Sequence, residues 1–123
     1  PELKAGIEHL QAAHESVAAS VMQLIGWFKG GKIEHIPLAA EEFLTNMSDL
    51  AVGWLLLDQA SIALRKLPDT SESHPDHAFY TGKKFTAQFF ANNSLATIPA
   101  RIQRLMQIDT LPVDMPDEAF ATI

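Results

Sequence analysis

The sequence predicts an all-α domain, a three- to four-helix antiparallel bundle with an extended C-terminal tail. Three observations predict it. Apolar residues recur at alternating spacings of four and three through two long segments, the period of one helix face. Glycine and proline stand where those segments end. No segment shows the period-two alternation of a half-buried strand.

The first helix is expected over residues 2–29. Leu3, Ile7, Leu10, His14, Val17, Val21, Leu24 and Phe28 form its seam, with His14 the one polar intruder. Gly30–Gly31 supplies the stop, because glycine takes the left-handed conformation that ends helices. The second helix starts at Pro37, a residue suited to a first helical position, and runs to about Leu67, where Pro68 closes it. Phe43, Met47, Leu50, Trp54, Leu57, Ser61 and Leu64 repeat the spacing, and Leu44, Ala51, Leu55 and Ile62 add a second stripe. A double stripe predicts a central helix in which Leu50, Trp54, Leu57 and Leu64 are largely buried. Removing the Trp54 side chain from such a core would cost roughly 3–5 kcal/mol. Gly53 in mid-helix costs about 1 kcal/mol relative to alanine, which predicts close approach of a neighbouring helix, with Trp54 filling the space beside it.

"PDTSESHPD", residues 68–76, reads as a loop. A third helix is expected from about Pro75 to Leu95, with Ala78, Gly82, Phe85 and Phe89 on one face and Phe79 and Phe90 beside it. Pro99 either kinks this helix or begins a fourth over "ARIQRLMQI", whose apolar residues are Ile102, Leu105, Met106 and Ile108. The tail, 109–123, holds two prolines and several acids and is expected to be extended.

The chain has 123 residues, the size of one domain, and 47% are hydrophobic, enough for a core. Cysteine is absent, which excludes a disulfide framework, a thiolate metal site and a thiol nucleophile, and is compatible with a reducing compartment such as the cytoplasm. Net charge is −6, and the last fifteen residues contain Asp109, Asp114, Asp117 and Glu118 without a Lys or Arg. The basic residues are scattered, so no stripe exists to neutralise a run of phosphates, and nucleic-acid binding is not expected. In "AVGWLLLDQASIALRKLPD", residues 51–69, Asp58, Arg65 and Lys66 break the apolar run, and no window is expected to supply the roughly 20 apolar residues of a membrane span. No methionine precedes Pro1, as expected of a processed product or a piece of a longer chain.

The chemistry-bearing residues form no constellation. His9 and His14 are five apart and share a helix face poorly. His14 is expected to be partly buried in the seam and bonded to a neighbour. His74 and His77, with Asp76 between them, could be half of a metal site, but loop and helix-cap roles account for them, and there is no Glu-x-x-His motif. Glu41 and Glu42 suit the positive end of a helix dipole. Asp58 and Gln59 interrupt an apolar run, and one of them is expected to meet a polar contact within the bundle. Gly30–Gly31–Lys32 is too short for a phosphate-binding loop, and the nucleophile-elbow motif is missing. No catalytic, cofactor-binding or metal-ligating residue is nominated.

Gly53–Trp54, Ala60, Ala63, Phe79–Tyr80, Lys83, Phe89–Phe90 and Pro99 follow the pattern of a known family. The segment from about residue 50 to 120 resembles the extra C-terminal helical domain of acyl-CoA dehydrogenases of the 3-methylmercaptopropionyl-CoA dehydrogenase-like branch. The proline lies in "ATIPAR", where that family tends to show Leu-Pro. The resemblance implies a parent flavoenzyme that oxidises an acyl-CoA between its α and β carbons, with a glutamate base and FAD as hydride acceptor in preceding core domains. It implies for this chain a non-catalytic accessory role, binding no flavin itself: docking on the core domains of its own parent, shaping a site or supporting a homo-oligomer. The alternative reading is an independent helical interaction module without flavin chemistry. In either case the aromatic residues Phe79, Tyr80, Phe85, Phe89 and Phe90 spread over more than one face, so some are expected to form a contact surface unless Leu111 and Phe120 fold back over them.

Overall fold

The computed structural model describes residues 1–121; Thr122 and Ile123, the end of the expected tail, lie outside the described residues. Four helices form the bundle: α1 (Lys4–Lys29), α2 (His35–Lys66), α3 (Pro75–Asn93) and α4 (Ile98–Met106). There is no strand among the described residues.

The punctuation works as expected, with small shifts. Gly31 takes φ +76° and turns the chain out of α1. The second helix begins two residues before Pro37, which sits inside its first turn. Pro68 converts its end into the 3-10 turn Leu67–Asp69. His74 caps α3, its Nδ1 accepting from the Asp76 amide at 3.1 Å, and Pro75 takes the first helical position. Of the two roles open to Pro99, the structure takes the second: a 3-10 turn, Leu95–Thr97, ends the third segment and α4 begins at Ile98.

The helix orientations differ from the expectation in one consistent way. Along α1 the buried or half-buried seam is Leu3, Gly6, Leu10, Ala13, Val17, Ser20, Leu24 and Trp27. Leu3, Leu10, Val17 and Leu24 were expected there. Ile7, His14, Val21 and Phe28 were expected too and are exposed, displaced by the residue before each. Along α2 the same replacement occurs: Asn46, Gly53 and Ala60 are buried where Met47, Trp54 and Ser61 were expected. Trp54 is 58% exposed, and the second stripe of Leu44, Ala51, Leu55 and Ile62 lies outside as well. Leu57 is buried and Leu50 and Leu64 are half-buried. The cause is steric. The residues taking the inner positions are mostly Gly, Ala, Ser and Asn, and small side chains let helix backbones approach. At Gly53 an added Cβ would stand 2.5 Å from a Leu95 methyl, so the close approach inferred for this glycine is real. Its partner is the 3-10 turn, and Trp54 does not fill the space.

Ala13, Val17, Leu57, Ala60, Ala87, Ala91, Leu95, Ile98 and Ile102 form the main core. Trp27, Ala39 and Leu105 close the end where α1 and α4 finish and α2 begins. Two ion pairs tie α4 to α2: Arg101 to Asp49 at 2.9 Å, and Arg104 to Glu42. Beyond α4 the tail stands clear of the bundle. Within it Leu111–Asp114 (α5) and Asp117–Phe120 (α6) are single helical turns rather than extended chain. Neither packs on another helix, and Pro112, with Asp109 before it, borders a cleft shared with Leu38 and Arg104.

One expectation about membranes is corrected. The helix continued through its 3-10 turn, His35–Asp69, contains an 18-residue window of mean hydropathy 1.2, so by length and composition it could cross a bilayer. Asp58 does not dilute the window enough to exclude this. Only 22% of that window is buried in the bundle, so much of its apolar character belongs to the outer face of α2.

Candidate functional site

The residue replacement along α1 and α2 creates the main surface feature. The large side chains left outside the seam gather between the two helices. Ile7, Leu10 and His14 of α1 and Met47, Leu50 and Trp54 of α2 line an open cleft of about 610 Å³. No Lys, Arg, Asp or Glu borders it, and Gln11 and His14 are its polar residues. Leu44, Leu55, Val21, Ile25 and Phe28 are also exposed on these two helices. Patches of this kind mark contact surfaces, because a monomer gains nothing by leaving them in water.

A second, different surface lies on α3. Phe79, Phe85 and Phe89 are 59%, 60% and 70% exposed. The inner face of α3 is carried by Ala87 and Ala91, while Tyr80 and Phe90 are half-buried. The expected division of the aromatic residues therefore holds, and Leu111 and Phe120, both exposed, do not cover them. This face is basic as well as aromatic. Lys83 Nζ stands 5.3 Å from the Phe79 ring centroid and Lys84 Nζ 4.8 Å from that of Phe85. Lys83 also donates to Gln59 Oε1 at 2.9 Å, and Lys84 pairs with Glu2 at 3.0 Å. Gln59 thus has a polar partner, at the surface rather than inside the bundle, and Asp58 is exposed.

The histidines are not brought together. His14 is exposed on the outer cleft and not bonded in the seam. His77 Nδ1 lies 3.3 Å from Thr70 Oγ1 and 3.2 Å from the Thr70 carbonyl oxygen, so His74 and His77 hold the loop and the α3 cap. No group of three potential metal ligands occurs among the described residues. His35 had no role in the sequence reading. Its ring packs edge-on against Trp27, centroids 5.3 Å apart, and its buried Nδ1 has no hydrogen-bond partner. Its place just after the Gly-Gly turn was the only signal for it, and that signal gives no orientation. Glu41 and Glu42 stay near the start of α2, where Glu42 serves the ion pair with Arg104.

The α1–α2 cleft is lined mostly by apolar side chains, with Gln11 and His14 its polar ones, and offers no cluster of donors for a pyrophosphate.

Residues 1–116 match the family described as Acetyl-CoA dehydrogenase C-terminal like. A butyryl-CoA dehydrogenase of Syntrophomonas wolfei subsp. wolfei is 38% identical over 85 residues, 69% of this chain and 14% of that protein. The broad-specificity linear acyl-CoA dehydrogenase FadE5 of Mycobacterium tuberculosis is 32% identical over 85 residues, with the same coverage. A further match to a butyryl-CoA dehydrogenase of S. wolfei is 27% identical over 119 residues, 97% of this chain and 19% of that protein. The chain therefore spans less than a fifth of the length of these relatives. It belongs to the Acetyl-CoA dehydrogenase C-terminal-like family.

Proposed function

We propose that this family member is the accessory C-terminal domain of a flavin-dependent acyl-CoA dehydrogenase and that it serves by docking on the core domains of its own parent chain. In this reading FAD, the glutamate base and the acyl-CoA site lie in the core, and the parent oxidises its substrate between the α and β carbons. The relatives' names support an acyl-CoA substrate. Gly53–Trp54, Phe79–Tyr80, Lys83, Phe89–Phe90 and Pro99 support placing the parent in the 3-methylmercaptopropionyl-CoA dehydrogenase-like branch. We place that parent in the cytoplasm as a homo-oligomer.

One observation carries the docking role: the mostly apolar cleft between α1 and α2, flanked by Ile7, Met47 and Trp54. Permanent interfaces resemble a domain core cut in half, mostly apolar, and this cleft has that composition. Hydrogen exchange tests the reading. Residues 7–14 and 47–54 should exchange more slowly in the full-length parent than in the isolated chain. Equal exchange in both would remove the docking face. The enzymatic half has its own test: the full-length parent should carry stoichiometric flavin and reduce an electron-accepting dye when given an acyl-CoA. The isolated chain should do neither.

A further inference from the structure

We propose that the acidic arm, residues 109–120, docks on the aromatic and basic face of α3 in a second copy of this chain. The two surfaces are complementary in charge and in polarity. The arm carries Asp109, Asp114, Asp117 and Glu118 with no Lys or Arg. Between these acids it exposes Leu111, Val113 and Met115, and after them Phe120. The α3 face offers Phe79, Phe85 and Phe89 beside Lys83 and Lys84. Lys83 and Phe79, with Ile62 and Tyr80, border a cleft of about 260 Å³, room for one leucine or phenylalanine side chain. Opposite charge around an apolar contact sets register and speeds encounter, which suits an interface between copies.

The acceptor belongs to another molecule: within its own chain the arm packs on no helix, and Leu111 and Met115 fall short of the cleft beside Phe79. The arm leaves α4 at the end of the bundle where Leu105 meets Trp27 and Ala39. Phe79 lies at the other end, sharing its cleft with Ile62. At 1.5 Å per helical residue, the 23 steps from Ala39 to Ile62 separate these ends by about 35 Å. Fully extended at about 3.5 Å per residue, the arm carries Leu111 about 14 Å from Gln107 and Met115 about 28 Å. The α5 turn shortens this further. Leu111 and Met115 therefore cannot meet Phe79 of their own chain. In a pair of copies each arm meets the other's α3, and the exchange closes with twofold symmetry. The α1–α2 cleft offers the arm's carboxylates no Lys or Arg, which leaves it to the interface argued above.

A spin label tests the contact directly. The chain contains no cysteine, so Met115→Cys provides a single attachment point. The nitroxide-labelled chain is mixed with isotope-labelled wild-type chain, and intermolecular broadening of amide signals is read. Broadening should centre on residues 79–89, and Lys83→Glu in the observed copy should weaken association roughly tenfold, because an attraction becomes a repulsion. Combining Lys83→Glu chains with Asp114→Lys chains should restore it. Truncation after Ile108 removes only residues that no helix packs upon, so the bundle should keep its far-ultraviolet circular dichroism and lose self-association. Broadening confined to residues 7–14 and 47–54, or a dimer that persists after truncation, would overturn the arm exchange while leaving the docking role of α1 and α2 intact. A chain that stays monomeric at high concentration would also overturn it.

Discussion

Alanine at Gly53 gives the sharpest test of the packing. An added Cβ would lie 2.5 and 2.6 Å from the two Leu95 methyls and 2.7 Å from Leu95 Cγ. Carbon atoms in contact settle near 3.5–4.0 Å, so the whole branch of Leu95 must retreat by about 1 Å. Turning one methyl aside does not clear the clash, because Cγ itself is too close. Leu95 is fully buried between the helices, so its retreat must displace packed neighbours. Overpacking of this kind costs about 1–3 kcal/mol. Alanine in place of glycine within a helix returns about 1 kcal/mol. The clash at three atoms places the steric cost toward the upper end, for a net loss of about 1–2 kcal/mol. Gly26 and Gly82 provide the control. Both lie inside helices, and a Cβ at either meets nothing within 4 Å. Alanine there should raise stability by about 0.5–1 kcal/mol. Urea unfolding followed by circular dichroism should therefore separate Gly53→Ala from Gly26→Ala by about 2 kcal/mol, a midpoint difference near 1 M for a domain of this size. In a Leu95→Ala background, Gly53→Ala should turn neutral or stabilising, since the pair is in direct contact. The reasoning fails if Gly53→Ala stabilises the otherwise unchanged chain as Gly26→Ala does.

Helix rotation can be checked at adjacent residues: Ala13→Leu should cost about 1–3 kcal/mol in urea unfolding and His14→Leu almost nothing, and the reverse order would restore the seam drawn from the sequence. Trp54→Ala should cost less than about 1 kcal/mol in the isolated chain, replacing the 3–5 kcal/mol expected of a buried indole. In the full-length parent the same change should produce a larger loss of thermal stability, and an equal loss would argue against docking there. Arg101→Ala removes the part-buried bond to Asp49 and a 3.2 Å bond to the Ser94 carbonyl; it should cost about 1–2 kcal/mol, more than Lys4→Ala at its exposed 3.9 Å pair with Glu8. The two substitutions showing equal effects in denaturation would mean that the latch between α2 and α4 is no stronger than a surface pair.

Much of the fold is local and was legible along the chain. The helices exist and end where they do because of spacing, Gly31, Pro68, Pro75 and Pro99, each acting on its own neighbourhood. About half of each long seam was legible too: Leu3, Leu10, Val17 and Leu24 in α1, and Phe43, Leu50, Leu57 and Leu64 in α2. The aromatic surface of α3 was legible because five rings on a short helix exceed what one inner face can hold. The tertiary structure alone decided between Gly6 and Ile7, Ala13 and His14, Ser20 and Val21, Asn46 and Met47, and Gly53 and Trp54. Adjacent helical residues point about 100° apart, so a seam can rotate toward either neighbour and keep its four-three spacing. Hydrophobicity favours the larger residue of each pair, whereas backbone approach favours the smaller. That conflict is settled only by what lies opposite, as Leu95 lies opposite Gly53. The apolar pattern of α1 and α2 sums two faces, one packed inside this bundle and one turned outward. A linear sequence records both as hydrophobic, and only the neighbouring helices divide them.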